Sequence, residues 1–211
     1  MNIQLVLFDM DGVIFEGKNF WLELHQHYGT QKKGVAFANK YLDSDYDRLV
    51  RLVAGNLWKG KPASAVLTMV EQRRYQPGVF EVFEFLHANS ILSAIISSGP
   101  YELALRAQRE LGIPVVRANH LVVENGLIQG EVEVMVPDAE KARVGREVME
   151  ELGIPPSKVA FVGDSVSDIE LAKIVDLPIA YNAQSEDLIE VCKVVLSYGE
   201  LNKLREIIQK Y

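Results

Sequence analysis

Four short apolar runs stand out because they do not alternate with polar residues: 4–8, 91–96, 159–162 and 178–181, with 194–196 as a shorter fifth. Segments of that length with both faces apolar suit strands buried between layers of helix, as in a parallel sheet. Between them the spacing becomes helical. Val79, Phe80, Val82, Phe83, Phe85 and Leu86 make a broad apolar face after Pro77-Gly78. Segments 102–111 and 139–152 both run into the string Glu-Leu-Gly-Ile-Pro. In that string the glycine supplies a left-handed cap and the proline bars continuation. Nothing else recurs at that spacing, so the string is punctuation and not a repeat.

Two stretches break the alternation. Residues 16–76 carry no strand pattern and read as helices over 20–28, around 35–57 and over 63–74. That is far longer than an ordinary crossover. It predicts an α/β core formed by 1–15 and 77–211, interrupted by a helical unit at 16–76. The second stretch, 119–136, reads as a hairpin. Leu121-Val122-Val123 leads into an Asn125-Gly126 turn and Leu127-Ile128 leads out, while 131–134 alternates like a strand with one wet face.

Composition narrows the function. The chain has 211 residues, 48% hydrophobic and 24% charged, which sustains a packed core and excludes wholesale disorder. Its formal charge of −7 argues against a non-specific nucleic-acid or membrane-surface binder and favours a small-molecule or metal partner. The single cysteine, Cys192, lies in an apolar run and reads as a small buried hydrophobe. It forms no internal disulfide, which fits a reducing compartment. No apolar stretch approaches the roughly 18–20 residues of a membrane span. The opening segment has no basic leader, so the expected location is cytoplasmic.

Three of the apolar runs end in polar residues that a parallel sheet would bring to one edge: Asp9 and Asp11, Ser97 and Ser98, Asp164 and Asp168. The crevice beyond the carboxyl ends of such strands is where ligands bind. Asp9 and Asp11, two apart at a strand end, point the same way. They repel unless a cation or a proton lies between them. Each group alone has a plainer reading: a solvated turn, a serine N-cap, an acidic first turn favoured by the helix dipole. Lys141 sits at a helix start, where the dipole disfavours a cation, which points to an anionic neighbour.

Taken together, Asp-Met-Asp-Gly-Val at 9–13, Ser97 after Ala-Ile-Ile, Lys141, and Gly-Asp-Ser-Val-Ser-Asp at 163–168 stand in the order of the four signature motifs of the haloacid dehalogenase superfamily. The chain resembles that superfamily from end to end, and its phosphoserine phosphatase-like branch most closely. The resemblance implies a Rossmann-like core closed over by a small helical cap, here 16–76. It also implies a Mg²⁺-dependent phosphatase for a small phosphorylated metabolite. Asp9 would be the nucleophile and Asp11 the general acid and base. Asp9, the Asp11 main-chain carbonyl and Asp164 would hold the metal. Ser97, the Ser98 amide and Lys141 would hold the phosphate, and Asp168 would support Lys141. Ser167 would join the phosphate and substrate contacts.

The departures from the branch concern the substrate. Gly12-Val13 stands where serine phosphatases carry Ser-Thr, and Ser167 stands where they carry asparagine. Lys18 occupies the place of the glutamate that meets the substrate ammonium, with Glu16 the nearest acid. The cap arginine that pairs with the substrate carboxylate maps to Arg48 or Arg51. A phosphomonoester without an amino group and a phosphomutase are therefore alternatives. A metal-free dehalogenase is disfavoured by Asp11 and Asp164, and an inactive binding module by the complete catalytic set. Phe20, Trp21, Tyr41, Tyr46 and Trp58 read as core of the insert rather than as a stacking platform. His25 and His27, two apart on a helix, do not form a metal pair.

Overall fold

The apolar runs form the centre of a seven-stranded sheet. In the computed structural model, which describes residues 2–17, 19–183 and 185–211, its strands are β1 (Leu5–Phe8), β2 (Leu92–Pro100), β3 (Val115–Glu124), β4 (Leu127–Glu133), β5 (Val159–Gly163), β6 (Leu177–Tyr181) and β7 (Val194–Leu196). Their order is β4-β3-β2-β1-β5-β6-β7, and every pairing is parallel except β3 with β4. β1, β5 and β6 are buried along their whole length. Two hydrophobic clusters result, one on each side of the sheet. Val6, Phe8 and Ile95 face one with Phe83 and Leu86. Leu5, Leu7 and Ile96 face the other with Val144 and Phe161.

The register brings the polar strand tips together. Phe8 lies opposite Ile95 of β2 on one side and Val162 of β5 on the other. Asp9, one residue on, is therefore flanked by the ends of both neighbours, and its amide donates to the Val162 carbonyl at 3.0 Å. From β1 the chain builds outward through β2 and β3, then returns to the other side of β1 with β5. This reversal is the topological switch point at which open sheets bind ligands.

Among the described residues of 16–76, helices lie at Phe20–His27, Gln31–Tyr41, Tyr46–Val50 and Ser64–Gln72, with a wide π-helical stretch at Arg51–Trp58. The single helix expected around 35–57 is thus three pieces. The break is at Asp45, whose carboxylate caps the second piece by accepting from the Arg48 amide at 2.9 Å. The insert leaves and rejoins the core at a neck where Glu16 N–H donates to Arg74 O at 2.8 Å and Gln76 N–H to Ile14 O at 2.9 Å. It is also tied to the β3–β4 hairpin. Gly60 N–H donates to Ile128 O at 2.8 Å, Ile128 N–H to Lys61 O at 3.0 Å, and Ala63 N–H to Gly126 O at 2.8 Å.

Two strands are longer than their apolar runs. β2 continues through Ser97, Ser98 and Gly99 to Pro100, with a register shift between Ile96 and Pro100, so the serines lie on an irregular strand end and not on a loop. β3 begins at Val115 and pairs with β2 before it becomes the first arm of the hairpin. Gly112 and Gly153, the glycines of the two repeated strings, both take φ +66°. Cys192 is half-buried against the second cluster.

Candidate active site

Asp9 is almost wholly buried, at 4% exposure. It accepts from Lys141 Nζ at 2.9 Å, and the same ammonium donates to Asp168 at 2.8 Å. Lys141 is 3% exposed at the first turn of the helix Lys141–Glu151. Burial alone would discharge it, but Asp168 and Asp9 more than offset that and push its pKa up. The second Asp168 oxygen accepts from the Asp164 amide at 2.9 Å, the Ser165 amide at 3.0 Å and the Ser165 hydroxyl at 3.2 Å. Asp168 is thus saturated with donors and holds both Lys141 and the β5 loop.

Asp164 differs. Its carboxylate is partly exposed, and among the described residues no donor reaches it. Ligand oxygens of Asp9, Asp164 and Asp168 all lie within 4.8 Å of one another. Burial, reinforced by Asp9 and Asp168, pushes Asp164 up to about 8. Burial pushes Asp9 up to about 7, with Asp168 adding to the shift and Lys141 opposing it. Fully ionised, the three carboxylates around one ammonium would carry two negative charges more than the lysine covers, and that excess is part of why Asp9 and Asp164 are pushed up. A hard divalent cation with oxygen ligands suits that surplus. Asp168 has its lone pairs committed, which leaves Asp9 and Asp164 as the side chains that fit such an ion.

Gly12 makes the approach of Asp164 possible. Its φ is +82°, and a Cβ placed there would lie 2.1 Å from an Asp164 oxygen. The Asp11 carboxylate turns away from the cluster. It accepts from the Phe20 amide at 3.0 Å and from Arg73 at 3.1 Å, and Arg73 also pairs with Glu23 at 2.6 Å. Burial raises the Asp11 pKa, and Arg73 partly offsets that.

Ser97 is buried, with its hydroxyl accepting from the Gly99 amide at 3.1 Å. Ser98 donates to Asp138 at 2.8 Å, and its carbonyl accepts from the Trp21 indole at 2.8 Å and from Asn119 at 3.1 Å. Asn119 in turn accepts from the Met135 and Val136 amides, both at 2.9 Å. A cavity of about 470 Å³ is lined by Asp9, Asp11, Ser97, Lys141, Asp164 and Ser167, among others. Ser167 is half-buried, 3.1 Å from the Ser165 hydroxyl.

The candidates from the insert lie elsewhere. Arg48 and Arg51 are exposed and line neither this cavity nor its neighbour, and Arg48 stacks on Tyr41 at 4.7 Å. Lys18 lies outside the described residues. Glu16 faces Arg74 at 2.8 Å and the Tyr198 hydroxyl at 2.7 Å. Trp21, expected in the core of the insert, packs there against Phe20 and Trp58 and in addition faces the serine strand and lines the cavity. Trp21, Asn119 and Asp138 were missed because they act on a main-chain carbonyl and a serine hydroxyl, contacts with no sequence spacing. The one available signal was Asp138, three residues before Lys141.

The model of the haloacid dehalogenase-like hydrolase family matches residues 6–173. Phosphoserine phosphatase SerB2 of Mycobacterium tuberculosis is 27% identical over 203 residues, covering 94% of this chain but 49% of that protein, so the chain spans about half its length. A phosphoserine phosphatase of Albidiferax ferrireducens is 28% identical, covering 99% of this chain and 90% of its own. Among solved structures, a phospho-aspartyl intermediate analogue of phosphoserine phosphatase superposes with a TM-score of 0.79 at 22% identity, over 100% of this chain and 99% of that one.

Proposed function

Because the chain belongs to the haloacid dehalogenase-like hydrolases, we propose that it hydrolyses a phosphomonoester through a phosphorylated Asp9. The observation that carries this reading is the buried Lys141 bridging Asp9 and Asp168 beside the carboxylate of Asp164, which no donor reaches among the described residues. Lys141 binds one Asp9 oxygen and opposes the burial-driven rise in its pKa, which leaves the other oxygen as the nucleophile. Asp9 attacks phosphorus, forming an acyl phosphate as the ester oxygen leaves. Asp11, with its raised pKa, gives a proton to that oxygen and then takes one from the water that cleaves the acyl phosphate. Arg73 and the Phe20 amide hold Asp11 in place for both transfers. Ser97, the Ser98 amide and Lys141 orient and neutralise the phosphoryl oxygens, with Ser167 at the cavity wall.

Asp9, Asp164 and the Asp11 main-chain carbonyl would hold Mg²⁺. When bound, the ion offsets the repulsion between the carboxylate and the phosphate dianion. The named relatives point to phosphoserine as the first compound to assay. The decisive test is Asp9→Asn. We expect phosphate release from p-nitrophenyl phosphate to fall by about a thousandfold or more, with an unchanged circular dichroism spectrum. Retention of most activity would remove Asp9 as the nucleophile.

A further inference from the structure

Beside the catalytic cavity lies a second one, of about 230 Å³, which shares Asn19, Trp21, Ser98 and Asp138 with it as lining residues. Its walls come mostly from the insert, with Ser98, Asn119, Val132 and Asp138 on the core side. Trp21 and Trp58 face each other with ring centroids 5.8 Å apart, and His25 packs on Trp58 at 4.6 Å. Leu42, Leu49 and Val53 form the aliphatic side. Among its described lining residues none is an arginine or lysine, and the only carboxylate is Asp138, at the boundary with the catalytic cavity. His25 adds no charge near neutrality, because burial pushes its pKa down to about 4.

Resting on the phosphomonoesterase reading, we propose that this second cavity receives the alcohol part of the substrate, and that this part is an uncharged apolar group about the size of one aromatic ring. The size follows from volume: a cavity of about 150 Å³ accommodates benzene, so 230 Å³ leaves room for a ring and a short linker. The absence of charge follows from the lining. A substrate carboxylate enclosed there would meet no described cation and would face Asp138, and an unpaired buried carboxylate is costly. Arg48 and Arg51 are exposed, and Arg73 is held by Asp11 and Glu23. The aromatic walls instead reward removal of apolar surface from water.

The test compares monoesters of primary alcohols, so that the leaving groups are chemically alike: 2-phenylethyl phosphate, phosphoserine, O-phosphoethanolamine and methyl phosphate. For the wild-type enzyme with Mg²⁺, kcat/KM for 2-phenylethyl phosphate should exceed that for each of the others by at least about tenfold. Ala38→Phe, which fills the cavity from the helix Gln31–Tyr41, should lower kcat/KM for 2-phenylethyl phosphate about tenfold more than for methyl phosphate. Phosphoserine or phosphoethanolamine turned over as well as the phenylethyl ester overturns this inference and leaves the phosphomonoesterase reading standing. Absence of Asp9-dependent turnover on all four esters and on p-nitrophenyl phosphate overturns both. The wild-type comparison decides the matter even if the variant does not fold.

Discussion

At the scale of single residues, the site depends on one missing side chain. Gly12 adopts a left-handed backbone, and the Asp164 carboxylate occupies the space a Cβ would need. Gly12→Ala therefore carries two penalties. The backbone conformation costs about 1–2 kcal/mol, and Asp164 must move away from Asp9. We expect a lower urea midpoint and at least about a tenfold loss of Mg²⁺ affinity by calorimetric titration. Unchanged affinity would place the cation elsewhere. The sequence made Gly12 visible only as part of the first motif and as a departure from the serine phosphatase pattern. Asp9, Lys141, Asp164 and Asp168 were legible because their charges sit at strand tips and a helix start, where folding must account for them. Trp21, Asn119 and Asp138 were not, because the chain meets them through the Ser98 main chain and hydroxyl.

At the scale of elements, strands apolar on both faces could be read directly, and those interrupted by polar residues could not. β1, β5 and β6 stand close to their apolar runs. The parallel half of β3 has only Val115 and Val116 before Arg117, too short a run to separate from the turn after Pro114. In the insert, Leu42-Asp43-Ser44-Asp45 is a turn signal inside what otherwise looks like one helix, and the helix breaks there. The helix Phe20–His27 carries a titrating group of its own. His25 is enclosed by Thr30, whose hydroxyl lies 2.7 Å from Nδ1, by Trp58, and by Gly34, where any Cβ would strike the ring. Burial lowers its pKa from 6.5 to about 4. The unfolded chain binds that proton first, so the contribution of neutral His25 to stability is fully present above pH 6.5 and is lost as pH falls towards 4. Between pH 7 and pH 4 the raised carboxylates Asp9 and Asp164 impose the opposite slope on both proteins, so the loss is read in urea unfolding as the wild-type stability minus that of His25→Phe, a difference that should shrink as pH falls. An equal slope in the variant would assign the titration to another group.

At the scale of the whole molecule, sheet order and insert placement together build the two cavities. The central position of β1 brings Asp9 between the serines of β2 and the Asp164 loop of β5. The insert, rooted immediately beyond Asp11, brings Trp21 over the result. The parallel sheet and its helical insert were legible in the alternation of strand and helix patterns; the strand order and the position of Trp21 were not. Nor was the contact between the insert and the hairpin, since it is made by main-chain groups of 60–63 and 126–128. Those bonds predict a common behaviour in hydrogen exchange: the amides of Gly60, Ala63 and Ile128 should exchange with one shared opening free energy. Independent exchange at loop rates would show the bonds to be weak in solution. If they hold, the cover is moored at both ends and cannot swing wide. Any movement that widens access to the catalytic cavity must then break main-chain bonds at the neck or at the hairpin.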